Sequence, residues 1–286
     1  MTEQITEIKQ IDAGNMLYHS AKDEPENDMS SKQSANALFN FTRKFEYLTN
    51  ILENKAFIPR YNEEKVDILK LGDITEVVFP MTCFCDIHLK RLGDHMYKYG
   101  GFGIGLDKEW GIQSGVQPIQ YLNVYSSLAN DFSKVFTKAL DNISEENSLI
   151  AEYQNFLLDK LLYLKPLAGS MRVSDDEYAE RNFHDEREWR YVPHIKSQDQ
   201  DELPLIIPGG HLLSPEAPRS YSLAISKRNE LWLNFDYCNV KYLFVMDESF
   251  REQLIRFITD KLDVEMYEKM LLISKIVVWN DIKKDW

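Results

Sequence analysis

The sequence predicts an α+β fold with a helical insertion, and three observations support this class. Apolar segments typical of strands occur at residues 37–42, 77–86 and 240–246. Between residues 122 and 164 the apolar residues recur at helical spacing instead. The last third of the chain alternates strand, helix and strand, and no internal repeat or flexible linker divides it.

The chain begins with a polar segment that ends where the first strand starts. Residues 1–36 include an acidic patch and a stretch rich in Ser, Lys and Gln. Too few apolar side chains are present there to form a core. We therefore predict a peripheral N-terminal arm, followed by one domain of residues 37–286.

The first part of the domain alternates strands and helices. After the strand of residues 37–42, apolar residues recur at helical spacing at Phe45, Leu48, Ile51 and Leu52. A strong strand follows at residues 77–86, and a short helix at residues 89–97. Asp86, at the end of this strand, fits a helix cap and a site residue equally well.

The helical insertion, about residues 122–164, is predicted to consist of two packed helices. One apolar stripe runs from Leu128 to Ile143, and a second runs from Leu149 to Leu161. Both stripes have the spacing of a helix face that packs against a core. Beyond the insertion, a charged stretch leads into a proline-rich loop, and the chain ends with a strand, a helix and a strand.

The composition is that of a soluble globular protein with an acidic surface. Of 286 residues, 33 are Lys or Arg and 46 are Asp or Glu, so the net charge is −13. Such a surface repels phosphate backbones, which argues against direct nucleic-acid binding and suits a basic protein partner. No apolar signal segment and no run of 18 apolar residues is present, which predicts a cytoplasmic protein without a membrane span.

The cysteine pattern predicts free thiols. Cys83 and Cys85 are separated by a single residue, which is closer than the usual spacing of zinc ligands, and Cys238 is distant. No second pair is present to complete a metal site. We therefore expect reduced thiols and no metal centre.

The charged segment of residues 184–193 carries the most informative pattern of the chain. In an extended conformation one face holds His184, Glu186, Glu188 and Arg190. Burying two carboxylates on one face is costly unless the charges pair or perform chemistry. A solvated edge strand would show the same pattern. A metal-dependent hydrolase is a third interpretation, disfavoured because Asp185 then lies on the other face.

Glycines alternate with apolar residues between residues 99 and 106. The segment lacks the lysine and hydroxyl residue of a phosphate loop and does not match a dinucleotide fingerprint. It predicts a strand with one bare face, which a ligand or another backbone can approach closely. The pattern is therefore compatible with a binding cleft.

Several segments together resemble one family. They are residues 38–42 with Leu48, Ile51, Leu52 and Pro59, residues 80–87, residues 99–106, Lys108 to Trp110, and residues 185–193. In this order they resemble the AbiGi family, abortive phage-resistance proteins described as the antitoxin half of a two-gene system with a nucleotidyltransferase-like toxin. The resemblance implies a cognate toxin, encoded nearby, as the protein partner.

The same segments are more distantly similar to the ADP-ribosyltransferase superfamily. This similarity implies an ADP-ribosyltransferase-like mixed sheet core and NAD as the co-substrate, with ADP-ribose transferred to a protein or nucleic-acid target. Some members carry Glu-x-Glu on a late strand, as at Glu186 and Glu188. The similarity implies that Glu188 stabilises an oxocarbenium-like transition state, as carboxylates do in glycoside hydrolysis. Glu186 would orient or deprotonate the acceptor.

The similarity also implies a set of cofactor-binding residues. They are Asn40, Thr42, Tyr99, Gly101, Phe102 and Arg190. Asn40 occupies the position at which members carry a ribose-anchoring His or Arg, and an amide supplies no charge there. Two functions therefore stay open: an ADP-ribosyltransferase acting in phage defence, and a non-catalytic antitoxin that neutralises its partner by charge complementarity.

Overall fold

The computed structural model describes the chain from residue 35 to residue 284 with short gaps. The described ranges are residues 35–141, 148–172, 178–212, 214 and 216–284. The predicted N-terminal arm therefore lies outside the described residues, apart from Ala35 and Asn36. Among the helices that are described, none combines the length and apolar character needed to cross a membrane.

The described elements alternate between strands and helices along the chain. The strands are β1 (Ala37–Thr42), β2 (Ala56–Phe57), β3 (Arg60–Lys65), β4 (Glu76–Cys85), β5 (Phe102–Asp107), β6 (Gln117–Pro118), β7 (Gln120–Leu122), β8 (Leu164–Pro166), β9 (Ala168–Arg172), β10 (Tyr178–Asn182), β11 (Glu188–Tyr191), β12 (Ile207–Pro208), β13 (Leu233–Asn234), β14 (Val240–Val245) and β15 (Ile276–Val278). The helices are α1 (Phe45–Asn54), α2 (Leu92–Tyr99), α3 (Lys108–Gln113), α4 (Ser127–Asp141), α5 (Ser148–Leu162), α6 (Ala217–Ile225), α7 (Glu248–Lys261), α8 (Met266–Ser274) and α9 (Trp279–Ile282).

One mixed sheet organises the described residues, which confirms the predicted α+β class. Its main strand order is β15-β14-β5-β1-β4-β11-β6, and β3 and β12 also pair with β4. The pairing is antiparallel except between β14 and β15. Helix α8, between the last two predicted strands, was not expected from the sequence.

The sheet is joined loosely at its centre, between β1 and β4. Strand β1 pairs with β5 along six residues. By contrast it pairs with β4 only where Phe39 faces Cys85. The side-chain amide of Asn40 in β1 donates a hydrogen bond to the carbonyl oxygen of Cys83 in β4 at 2.9 Å. This side-chain bond takes the place of the next backbone pair between the two strands. A space next to this junction can therefore reach the middle of the sheet.

The helices α4 and α5 lie in the segment predicted to be a helical insertion. Phe136 of α4 and Leu161 of α5 are buried in one cluster with Phe79 and Met81 of β4. The apolar stripes thus pack against the sheet as well as against each other. The end of α5 leads directly into β8, which brings Lys165 to the same region.

Asp86 is a buried structural group and not a helix cap. Its Oδ1 accepts a hydrogen bond from the backbone N–H of Ala35 at 2.9 Å. Its Oδ2 accepts one from Nζ of Lys108 at 2.7 Å. Through these two contacts, Asp86 links the start of the described chain to α3. Both charged partners are largely buried, so removing either one would leave the other charge uncompensated.

The glycines of β5 have a packing reason that the sequence did not reveal. The bare face of this strand is covered by aromatic rings of this chain: a β-carbon placed on Gly103 would collide with Cδ1 of Phe41. One placed on Gly105 would lie 2.7 Å from Cε1 of Phe39. At these two positions aromatic side chains, rather than a ligand, take the space that the glycines leave free.

Replacing Gly105 with alanine should therefore destabilise the sheet. The methyl group would press into the ring of Phe39, so we expect the free energy of unfolding to fall by about 1–3 kcal/mol, the usual cost of overpacking. Urea denaturation monitored by tryptophan fluorescence measures the change. Gly210→Ala is the control, because no atom lies within 4 Å of its added β-carbon. Equal stability of both variants would contradict this account.

Candidate functional site

The two glutamates reach the site from a turn and from a strand. Phe183–Glu186 form one 3-10 turn. Arg187 then adopts a left-handed conformation with φ 43°, and β11 begins at Glu188. The prediction of an extended segment that begins at His184 is wrong, because residues 183–186 form a turn and the left-handed Arg187 separates this turn from the strand. Of the four residues predicted to share one face of a strand, only Glu188 and Arg190 lie in β11.

Both carboxylate oxygens of Glu188 are held by cations. Nε of Arg190 donates a hydrogen bond to Oε1 at 2.5 Å. Nζ of Lys165 donates to Oε2 at 2.9 Å. The backbone N–H of Glu188 donates to the hydroxyl oxygen of Tyr121 at 2.9 Å. Glu188 is therefore fixed in position by its side chain and its backbone.

Arg190 lies behind this carboxylate and is completely buried. Its Nη1 donates to the carbonyl oxygen of Leu162 at 2.9 Å. Its Nη2 lies 3.1 Å from Oε1 of Glu64, an ion pair that lacks hydrogen-bond alignment. The guanidinium thus compensates two acids from different strands, which is how a full charge is tolerated in the core.

Glu186 occupies the neighbouring position. Its Oε1 accepts a hydrogen bond from the hydroxyl of Tyr99 at 2.5 Å. Its Oε2 lies 3.4 Å from Nζ of Lys165. One lysine therefore pairs with both glutamates of the Glu-x-Glu motif, and α2, β8 and β11 meet at this point.

The pKa values follow from this arrangement. Burial opposes ionisation of Glu188, but Arg190 and Lys165 outweigh it and lower its pKa to about 2. Burial alone would lower the pKa of Lys165, yet Glu64, Glu188 and Glu186 raise it well above its usual value. Burial and Glu186 raise the pKa of Tyr99, so its hydroxyl remains a donor. Glu188 and Lys165 are consequently both charged at neutral pH.

A cavity of about 570 Å³ lies against this network. It opens between β1 and the strands β3 and β4, beside the loose junction of the sheet. Five of the predicted site residues line it: Asn40, Thr42, Tyr99, Glu186 and Glu188. The structure therefore brings together residues that are almost 150 positions apart in the sequence. A cavity of this volume is typical of a small-molecule site.

The other three predicted residues do not line the cavity. Arg190 lies behind Glu188, as described. Phe102 belongs to the main core, where its ring centroid is 4.7 Å from that of Phe250. A β-carbon placed on Gly101 would collide with Sδ of Met246. Direct contact of these three residues with a bound cofactor is thus not supported by their placement.

Several lining residues were missed from the sequence. Lys165 follows the insertion and precedes a proline, and nothing in its local sequence points to two glutamates far along the chain. Helix α1 gave a usable signal, because Tyr47, Asn50 and Asn54 share one polar face at helical spacing. The guanidinium of Arg60 lies 5.0 Å from the ring centroid of Tyr47, a cation–π contact at the cavity.

His95 also lines the cavity and is a packed histidine. Its ring centroid is 4.4 Å from that of Tyr99 and 5.7 Å from that of Phe41. Burial, assisted by Lys98, lowers its pKa to about 4, although Glu188 acts in the opposite direction. The imidazole is therefore neutral at physiological pH.

The residues of the metal-hydrolase interpretation are not gathered around one point. His184 and Asp185 are exposed, whereas Glu186 and Glu188 are buried. Nδ2 of Asn182 donates a hydrogen bond to Oδ2 of Asp185 at 3.0 Å. In the part of the chain that the structure describes, no three His, Cys, Asp or Glu side chains are placed to hold a metal ion.

Comparisons with known proteins give one consistent result. A family profile described as abortive phage resistance protein AbiGi, antitoxin, matches residues 49–216. A curated relative from Lactococcus lactis subsp. cremoris, named abortive phage resistance protein AbiGi, is 38% identical over 252 residues. That alignment covers 81% of this chain and 100% of the relative. No solved structure matches significantly, so the expected likeness to an ADP-ribosyltransferase fold has no structural support.

Removing the shared cation should destabilise the site strongly. Lys165→Met would leave Glu186 and Glu188 buried side by side, and we expect the free energy of unfolding at pH 7 to fall by about 3–5 kcal/mol. Adding Glu186→Gln should recover part of this loss. The control is Lys241→Met, whose ion pair with Asp107 is much more exposed and is expected to contribute less than about 1 kcal/mol. Similar losses in both lysine variants would contradict the proposed network.

His95 should make the protein less stable as the pH falls. In the unfolded chain it takes up a proton near pH 6.5, whereas in the folded protein it stays neutral down to about pH 4. The unfolded state therefore binds more protons in this window, and stability should drop by roughly 3 kcal/mol across it. Chemical denaturation at pH 7 and pH 4 should show a smaller drop for His95→Phe. An equal drop would mean that other groups cause it.

Proposed function

The chain belongs to the AbiGi family, and on this basis we propose that it is the antitoxin of a two-gene, abortive phage-resistance system. In this role it binds a toxin protein encoded nearby, in the cytoplasm, and holds it inactive. The family description supplies the word antitoxin, and the structure supplies the physical support.

The observation that carries the proposal is the state of Glu188. A carboxylate stabilises a developing positive charge less well when neighbouring cations already compensate its own charge. Both oxygens of Glu188 are instead paired with Arg190 and Lys165. This arrangement is that of a structural ion network, in which the carboxylate contributes to the fold. It favours a binding protein over an enzyme.

The charge of the chain supports the same function. With a net charge of −13, the protein attracts a basic partner over a distance of about one Debye length, roughly 8 Å at physiological salt. Attraction of this kind accelerates association and disfavours wrong partners. It suits an antitoxin whose toxin carries a basic surface.

Co-expression tests this proposal. The product of the neighbouring gene, expressed alone from an inducible promoter, should arrest growth, and simultaneous expression of this chain should restore it. The two proteins should then co-elute in size-exclusion chromatography, with an affinity that falls as the salt concentration rises. Growth arrest that persists although this chain is present, folded and in excess would contradict the antitoxin function.

A second candidate function is NAD-dependent transfer of ADP-ribose, and the cavity favours it. Asn40, Thr42, Tyr99, Glu186 and Glu188 converge on a cavity of suitable volume. For the Glu188 carboxylate to take part in catalysis, a bound nucleotide would have to displace Lys165 from it. Arg60 and Tyr47 provide a cation and an aromatic ring that suit a phosphate and a base.

Calorimetric titration with NAD separates the two candidates. If the cavity binds NAD, the titration should saturate, and Asn40→Ala should weaken the affinity because Asn40 lines the cavity. Glu188→Gln should then abolish NAD consumption, with thermal unfolding of each variant as the control for folding. A flat titration, or NAD consumption that Glu188→Gln leaves unchanged, would reject the transferase.

A further inference from the structure

The outward face of α8 is apolar, which is the reverse of what a helix at a free surface requires. The exposed side chains are those of Met266, Tyr267, Met270 and Leu271, called the α8 surface below. Tyr267 is 73% exposed and Met270 60%. On the opposite side, Leu272 is fully buried in the main core. A helix with apolar residues on both sides is typically covered on both sides.

The charged residues of this helix do not shield its apolar face. Glu268 and Lys269 are only partly exposed and lie on the flanks of the helix nearer to the body of the protein. Nζ of Lys269 donates a hydrogen bond to the carbonyl oxygen of Thr259 at 2.7 Å, near the end of α7. This contact draws the ammonium group away from the α8 surface. The four apolar side chains therefore form one uninterrupted patch along the helix.

Most other exposed apolar residues in the described chain are scattered, as on any soluble protein. The helices α4 and α5 form the one comparable region. Their exposed apolar side chains are those of Leu128, Val135, Tyr153 and Phe156. These are divided between two helices, and the residues that connect the helices lie outside the described range. The α8 surface, by contrast, lies on a single helix.

Charge decides which kind of partner fits the α8 surface. Three exposed acidic residues, Asp260, Asp263 and Glu265, precede the helix, with Lys261 among them. In a two-fold dimer of this chain, the α8 surface of one copy would face that of the other, and the acidic residues of both copies would lie close together. Each copy carries a net charge of −13, so this arrangement is electrostatically unfavourable. A partner with Lys or Arg around an apolar patch fits much better.

We propose that the α8 surface binds the toxin, through an apolar patch on the toxin that is flanked by Lys or Arg side chains. The assignment rests on the antitoxin function proposed above and adds where the partner docks. Tyr and Met are enriched at the centres of protein interfaces, where a few large side chains provide most of the affinity. The acidic residues before α8 would lie at the rim and act mainly on the association rate.

The test compares two double variants of the full chain. Tyr267→Ser with Met270→Ser removes most of the α8 surface. Leu128→Ser with Tyr153→Ser removes two other exposed apolar side chains, one each from α4 and α5, and is the matched control. Each variant is titrated against the purified product of the neighbouring gene by calorimetry. Circular dichroism and thermal unfolding verify folding, and analytical ultracentrifugation reports self-association.

We expect the α8 double variant to bind at least tenfold more weakly than the wild type, while the control variant binds normally. If the α8 variant binds as the wild type does, or if only the α4–α5 variant loses affinity, the docking assignment is wrong but the antitoxin function stands. If the wild type does not bind at all, both proposals fail. If instead the wild type self-associates and the α8 variant does not, the surface binds a second copy of this chain, and the assignment is overturned.

The acidic residues before α8 provide an independent test, because they should affect the rate at which the two proteins associate. Asp263→Lys with Glu265→Lys should slow association with the same protein several-fold at low salt, and the difference should vanish as the salt concentration rises. The dissociation rate should change little, because rim charges remain solvated. An unchanged association rate at low salt would contradict the basic character assigned to the toxin's docking patch.

Discussion

The structure around the site depends on the pairing of buried charges at Glu188. Arg190 and Lys165 neutralise this carboxylate, and each cation also serves a second acid, Glu64 or Glu186. Removing any one partner would leave an uncompensated charge in the core, which is the costly situation. The network therefore fixes β3, β8 and β11 relative to one another, and the cavity takes its shape from the strands so fixed.

The cavity is a consequence of how the sheet is joined. Strands β1 and β4 share one backbone pair, and Asn40 continues the connection by its amide. A continuous ladder at this place would have closed the space that Thr42, Tyr99 and the two glutamates line. The glycines of β5 contribute indirectly, since they let the rings of Phe39 and Phe41 pack closely against this strand.

The molecule has two separate regions with different chemistry. One is a cavity whose three acidic side chains share two buried cations, and the other is the apolar α8 surface with acidic residues before it. The AbiGi family profile is described as an antitoxin, and the α8 surface suits the partner-binding role proposed on that basis. The cavity would give the protein a means to bind a small molecule in addition, because none of its lining residues belongs to the α8 surface.

The sequence by itself determined the α+β class, six strands of the main sheet, five of the described helices, and the family. These follow from local periodicity and from motifs whose residues are close together in the chain. It also identified Glu186 and Glu188, because two acids in a strand-like segment are unusual. Only the tertiary structure decided that Lys165 neutralises both, that Arg187 turns the chain between them, and that Gly101 and Phe102 lie away from the cavity. Side-chain pairing between distant residues depends on the complete sheet, and a local pattern carries no information about it.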